Sequence, residues 1–277
     1  MNSYDFFIAE LAIRLEVPWA LPDSPAFSPF RGDFSRAELN ACLSVEESLP
    51  PIPEGFFSKV LTCHGRREGA RLCYHLEGGE PFALTEYEYP RVTLRIKKGF
   101  EHYFSSLSAV FNRIDFENIL PDYDRFLLHA SLCEKDGKAI LFIGPSGAGK
   151  STQAGLWETL RGWRVLNGDR AVLYQTSRGF FAYGSPWAGS SSIRCNEKGR
   201  VALAALPEHA IDNATLSLSP GDAFHKIFPH LSLGKLYGET VERAMALCAD
   251  FVGQVPAVRL FCRPDEGAVT CLEEVLP

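Results

Sequence analysis

Gly144, Gly149, Lys150 and Ser151, in the stretch "AILFIGPSGAGKSTQAGLW" (139–157), satisfy the spacing G-x-x-x-x-G-K-[ST]. The chemistry of that spacing is phosphate binding. Across Gly144, Pro145, Ser146, Gly147, Ala148 and Gly149 the residues are small, so the loop folds with backbone N–H groups aimed into one concavity. The concavity opens onto a helix N-terminus, which favours negative charge. Lys150 reaches the β- and γ-phosphates, while Ser151, followed by Thr152, offers a hydroxyl to Mg²⁺. A bound nucleotide such as ATP is the expectation.

Holding a nucleotide and transferring a phosphoryl group from it need different residues. Transfer requires a carboxylate to fix the metal and a base for the acceptor hydroxyl. Asp169 follows the apolar run "WRVLNG" at the end of a predicted strand, and in parallel α/β folds strand ends converge near the phosphate loop. Asn167, Gly168 and Asp169 also all favour turns, so the same residues fit a plain turn. His129 lies in the apolar strand "FLLHASL", which forms a hairpin with the strand feeding the loop. A lone strand histidine is more often a satisfied core residue. Downstream, "GSPWAGSSSIR" has the glycines and serines of an anion-binding turn. Ser190 and Arg194 are its candidate phosphate or acceptor contacts, against a plain loop after a hairpin.

These residues need a scaffold. "RFLLHASLC" (125–133) and "AILFIG" (139–144) read as strands joined by a turn at Asp136-Gly137, a hairpin signal. "KSTQAGLWETLRG" (150–162) reads as a helix closed by Gly162, with Trp157 and Trp163 as packing residues. "WRVLNGD" (163–169) returns to strand, and 171–184 reads as a hairpin turning near Ser177-Arg178-Gly179. Residues 221–252 are mostly helical, "AVRLFC" (257–262) is a late core strand, and 268–276 a closing helix. The N-terminal part differs. Residues 7–17 alternate apolar and polar and read as one half-buried strand. Proline clusters at 18–30 and 49–55 interrupt regular structure. Short strands follow near 70–76 and 91–97. The expected organisation is an irregular β-rich region over 1–122, packed on a nucleotide core over 123–277.

Composition limits the function classes. The chain has 277 residues, 46% hydrophobic and 22% charged, as in an ordinary globular protein. Its net charge of −6 argues against non-specific nucleic-acid binding, which relies on basic surface. The eight cysteines include no C-x-x-C pair and read as buried thiols of a reducing cytoplasm. No signal peptide and no membrane-length apolar run is seen.

The segment 127–173, from "LLHASLCEKDGKAILFIG" to "VLNGDRAVL", resembles the HPr kinase/phosphorylase family, whose nucleotide core is shared with ATP-dependent phosphoenolpyruvate carboxykinases. In that superfamily a histidine sits on the strand before the P-loop strand. After the next helix, a strand ends in an aspartate pair, followed in the kinases by arginine. His129, residues 144–152 and Asp169-Arg170 occupy those positions in order. The resemblance implies an α/β P-loop core with a mixed sheet. It implies that Asp169 binds Mg²⁺ or accepts the hydroxyl proton, that His129 sits beside the metal and γ-phosphate, and that Arg170 supports the transition state or is a surface arginine. The implied activity is ATP-dependent phosphorylation of a serine-type hydroxyl on a peptide, protein or small molecule. The acceptor site would be built from the N-terminal region and the C-terminal segment. Relatives form homo-oligomers and some use pyrophosphate. The sequence departs from the family at Gly168, which replaces the first aspartate, and in lacking the glycine-arginine signature that follows the core. A nucleotide sensor without turnover, and phosphorylase- or carboxykinase-like chemistry, therefore stand as alternatives.

Overall fold

The computed structural model describes residues 1–59, 61–233 and 238–277, and all of Ser190 but its side chain. The chain divides into two compact units at Phe116/Glu117.

The first unit is built on an eight-stranded sheet of order β1-β2-β3-β8-β7-β6-β5-β4. Its strands are β1 (Asn2–Ile8), β2 (Leu11–Val17), β3 (Leu39–Glu46), β4 (Phe57–Ser58), β5 (Thr62–Arg67), β6 (Ala70–Glu77), β7 (Glu80–Glu88) and β8 (Arg91–Lys97). A short helix α1 (Leu107–Arg113) follows, its N-terminus capped by the Ser106 hydroxyl, which accepts from Ala109 N–H. The alternation over 7–17 is not one strand. Ala9 and Glu10, at φ 50° and 62°, turn the chain between β1 and β2, and Ile8 pairs with Leu11. Two left-handed residues make the tight turn that a twisted hairpin favours. Alanine and glutamate carry no turn signature, so the alternation alone reads as continuous.

The second unit holds a nine-stranded sheet, with α2 (Phe116–Ile119) spanning the division. Its strands are β9 (Arg125–Lys135), β10 (Lys138–Ile143), β11 (Arg164–Asn167), β12 (Arg170–Thr176), β13 (Gly179–Tyr183), β14 (Lys198–His209), β15 (Ala214–Ser217), β16 (Leu231–Ser232) and β17 (Ala257–Cys262). The helices are α3 (Lys150–Arg161), α4 (Pro220–Ile227), α5 (Gly238–Gln254) and α6 (Glu266–Glu273). The pairings β10–β9, β9–β12, β12–β13, β13–β14 and β14–β10 return to their start, and β17 and β15 extend the sheet beyond β14.

Two apolar clusters flank this sheet. On one face Phe126, Leu128, Leu141 and Leu173 pack with Ile227 of α4 and Phe251 of α5. On the other, Ile140, Phe142 and Leu203 pack with Trp157 of α3 and Val269 of α6. Alternate residues of β10 thus belong to opposite clusters, as period-two geometry requires of a strand buried on both faces. Trp157 and Trp163 meet edge to face at 5.1 Å, both buried. β14 carries the only parallel pairings in this unit among the described residues, with β10 on one edge and β17 on the other. Pro207, which has no N–H, lies beyond Ala205, the last residue paired to β10.

Candidate functional site

β10 ends at Ile143, and residues 144–149 form the glycine-rich loop that leads into α3. Gly147 and Gly149 have φ of 82° and 93°, a region that L side chains rarely adopt. Gly149 is also the N-cap of α3, and no side chain caps the helix. The first N–H groups of α3 therefore have no partner on their own helix and face the loop's concavity. Lys150 folds back over the loop, its Nζ donating to the Gly144 and Pro145 carbonyls at 2.9 Å each. Burial lowers its pKa, and the nearby Asp169 carboxylate opposes that shift.

Strand register aligns the rest. Ala130 of β9 pairs with Ile143 on one side, and on the other its N–H donates to the Asp169 carbonyl at 2.9 Å. One residue along β9, His129 stands opposite Arg170. The turn between β11 and β12 thus lies beside the start of the glycine-rich loop, with one strand between them. That turn is built by Asn167, whose Oδ1 accepts from Asp169 N–H at 2.9 Å and Arg170 N–H at 2.7 Å. Such side-chain bonding to the backbone is what gives asparagine its turn preference. The Ser131 hydroxyl donates to the Gly168 carbonyl at 2.8 Å.

The loop, the first turn of α3, His129 and Asp169 line one cavity of about 640 Å³. His129 is half-buried. Burial, and then the Arg170 charge, hold its pKa below the ordinary histidine value; Asp169 pulls it up and Lys150 lowers it further. Asp169 Oδ2 lies 3.6 Å from Arg170 Nε. Arg170 does not line the cavity, and its charge also bears on Glu117, whose pKa burial raises. Arg194 does not reach the cavity either. Its Nε donates to the Pro186 carbonyl at 2.9 Å and one terminal nitrogen to the Ser192 carbonyl at 3.1 Å, so it braces its own segment. Ala148 sits behind Gly144 rather than on the wall; a Cβ at 144 would lie 3.1 Å from the Ala148 Cβ. The Ser190 side chain lies outside the described residues.

Two wall residues escape sequence reasoning, His209 and His230. β14 runs parallel to β10 and continues past its end, so His209 overhangs the glycine-rich loop. Its Nε2 lies 3.0 Å from the Gly147 carbonyl. His230 precedes β16, which pairs with β9 at Leu127 and Leu128. Burial and the charges of Lys150 and His129 lower its pKa. Neither histidine stands at a motif spacing from the loop; only the parallel pairing of β14 would have flagged His209.

Among the described residues no cluster of three or more His, Cys, Asp or Glu could hold a metal by itself. Ser151 and Asp169 both line this cavity and carry hard oxygen donors. That set fits an ion such as Mg²⁺, which takes few protein ligands and completes its shell with phosphate oxygens and water. No described helix is long and apolar enough to cross a membrane. All eight cysteines are free thiols.

A family model described as "ScmC: SynChlorMet cassette protein ScmC" matches residues 105–208. The match includes His129, the glycine-rich loop, Asp169 and residues 185–194, and stops one residue short of His209. No match was found among the curated proteins.

Proposed function

We propose that this chain is a Mg²⁺-dependent kinase. It transfers the γ-phosphoryl group of ATP to a serine-type hydroxyl of a peptide, protein or small molecule, on a P-loop core of the HPr kinase/PEP carboxykinase type. One observation carries the reading: Lys150, Ser151, Asp169 and His129 come from three separate stretches of chain and line one cavity. The uncapped N-terminus of α3 suits an anion. Lys150 donates to two backbone carbonyls of the loop, contacts it can exchange for phosphate oxygens.

The loop N–H groups and Lys150 hold the β- and γ-phosphates and stabilise charge on the group in transit. Ser151 and Asp169 would hold Mg²⁺, which would supply charge neutralisation to the phosphates. The acceptor oxygen forms a bond to the γ-phosphorus as the bond to the β,γ-bridging oxygen breaks and ADP leaves. The hydroxyl proton passes to Asp169 or to His129, which its surroundings keep neutral and able to accept it. We place this activity in the cytoplasm, in keeping with the free thiols.

A second reading, a nucleotide sensor without turnover, is favoured by one observation. Asp169 is the only carboxylate among the described residues lining the cavity. Mg²⁺-dependent ATP turnover by wild-type protein and Asp169→Asn separates the two, with free serine and a pool of serine peptides as acceptors and mass spectrometry of the products. A phosphorylated acceptor that disappears in the variant supports the kinase. ADP and ATP binding with no turnover supports the sensor.

A further inference from the structure

The turn that carries Asp169 is locked to the segment after β13. The Asn167 side-chain amide donates to the Ser185 carbonyl at 3.1 Å and the Trp187 carbonyl at 3.2 Å. The Ser185 hydroxyl donates to the Arg170 carbonyl at 2.6 Å, and Cys195 N–H donates to the Leu166 carbonyl at 3.2 Å. Residues 185–195 thus form a strap bonded on both sides of Gly168-Asp169.

Where the strap meets the turn, a glycine of each faces a side chain of the other. A Cβ on Gly168 would lie 2.2 Å from Ser191 Oγ and 2.4 Å from Ser191 Cβ. A Cβ on Gly189 would lie 2.8 Å from the Asp169 carboxyl carbon. The two positions differ in kind. Gly189 has φ of 54°, so its backbone also favours glycine. Gly168 has no positive φ, so a side chain there is barred only by Ser191. Ser191 is itself fixed, its hydroxyl donating to the Ala188 carbonyl at 2.8 Å.

We propose that Ser191 is a positioning residue: seated against Gly168, it holds the strap so that Gly189 backs the Asp169 carboxylate and fixes its place in the cavity. The space beside residue 168 is taken by the strap, so a single carboxylate is built into this turn. The inference rests on the proposed role of Asp169 at the metal.

The test compares wild type, Gly168→Ala, Ser191→Gly and the double variant, because only the Ser191 side chain bars a Cβ at 168. Calorimetry reads ADP affinity with Mg²⁺ and with EDTA. In Gly168→Ala the Mg²⁺-dependent gain in affinity falls by about tenfold, while metal-free ADP binding stays within about threefold, since the phosphate loop is untouched. Melting temperature falls as well. Ser191→Gly alone leaves the space beside Gly168 unfilled and lowers the Mg²⁺ gain by about three- to tenfold; a wild-type gain in that variant overturns the positioning role. In the double variant the new methyl at 168 fills the space left by the Ser191 side chain, so the Mg²⁺ gain returns to within about threefold of wild type and the melting temperature recovers. A Gly168→Ala protein with wild-type Mg²⁺ gain overturns the proposal, as does a folded double variant no better than Gly168→Ala. If wild-type ADP binding shows no Mg²⁺ gain at all, the metal role of Asp169 falls. The interlock is then judged by melting temperature alone: rescue of Gly168→Ala by Ser191→Gly upholds it, and equal melting of Gly168→Ala and wild type removes it.

Discussion

His129 and Arg170 stand directly opposite each other in the β9–β12 ladder, so an imidazole and a guanidinium share one rung beside the candidate site. Together with burial, that neighbour keeps His129 neutral below its ordinary pKa of 6.5. The His129 ring protons should therefore titrate below 6.5 by NMR. Replacing Arg170 with glutamine removes a cation and raises that midpoint. The acid limb of ATP turnover should follow in the same direction. A wild-type His129 titrating at or above 6.5 would contradict the burial argument.

Lys150→Met and Asp169→Asn should fail in different ways. The first removes a cation from the glycine-rich loop and should weaken ADP and ATP binding about tenfold or more, with or without Mg²⁺. The second leaves metal-free ADP binding intact and lowers turnover by roughly 10²–10³-fold. Calorimetry with EDTA beside steady-state kinetics distinguishes them. Equal losses of metal-free binding in both variants would argue against separate roles.

His209 meets the glycine-rich loop from a neighbouring strand, its Nε2 3.0 Å from the Gly147 carbonyl. By donating to that carbonyl it steadies the turn around Gly147 and Gly149. His209→Ala should raise KM for ATP by about three- to tenfold with kcat little changed. His209→Gln, which keeps a side-chain donor, should recover much of the loss. No difference between alanine and glutamine would show that the contact is incidental.

Acid should destabilise the first unit through two buried histidines. Burial, first, and the Lys59 charge lower the His64 pKa to about 4; burial, Arg113 and His64 lower that of His75 to about 3. Near pH 7 both are neutral, folded or unfolded. As pH falls below 6.5, the unfolded chain takes up protons that the folded one refuses. Stability should decline from there toward pH 4, by on the order of 3 kcal/mol per histidine. Denaturant melts across that window should show the slope, and His75→Leu should reduce it by about half, leaving the His64 contribution.

Much of the second unit was legible because its signals are local. Asp136-Gly137 announces the β9–β10 hairpin, Gly162 ends α3, and the strand-loop-helix around Lys150 follows from motif and hydrophobic run. What escaped depends on pairings between distant residues. β14 has a Leu/Ala-rich run with Pro207 in it and no clear alternation, yet it is the strand that brings His209 to the loop. His230 arrives through the two-residue strand β16. Arg194 looks like a phosphate ligand in sequence, but the carbonyls of its own segment hold it. Gly168 reads in sequence as a missing carboxylate; the structure adds the serine side chain standing in the way. In the first unit, Ala9-Glu10 adopts a left-handed turn with residues that do not advertise one.

The circuit of pairings through β10, β9, β12, β13 and β14 bears on how the protein is made. Ala139 pairs with Val201, so the strand that launches the glycine-rich loop finds its parallel partner only after the intervening helix and hairpins have been synthesised. Closing such a non-local pairing is slow, because the chain between its ends must be ordered first. A nascent chain that has left the ribosome only as far as α3 already carries Lys150 and Ser151, but β10 still has an open edge. Until β14 emerges, that edge is an unpaired apolar strand available to other chains. The glycine-rich loop is therefore among the earliest parts of this unit to be translated and among the last to be secured.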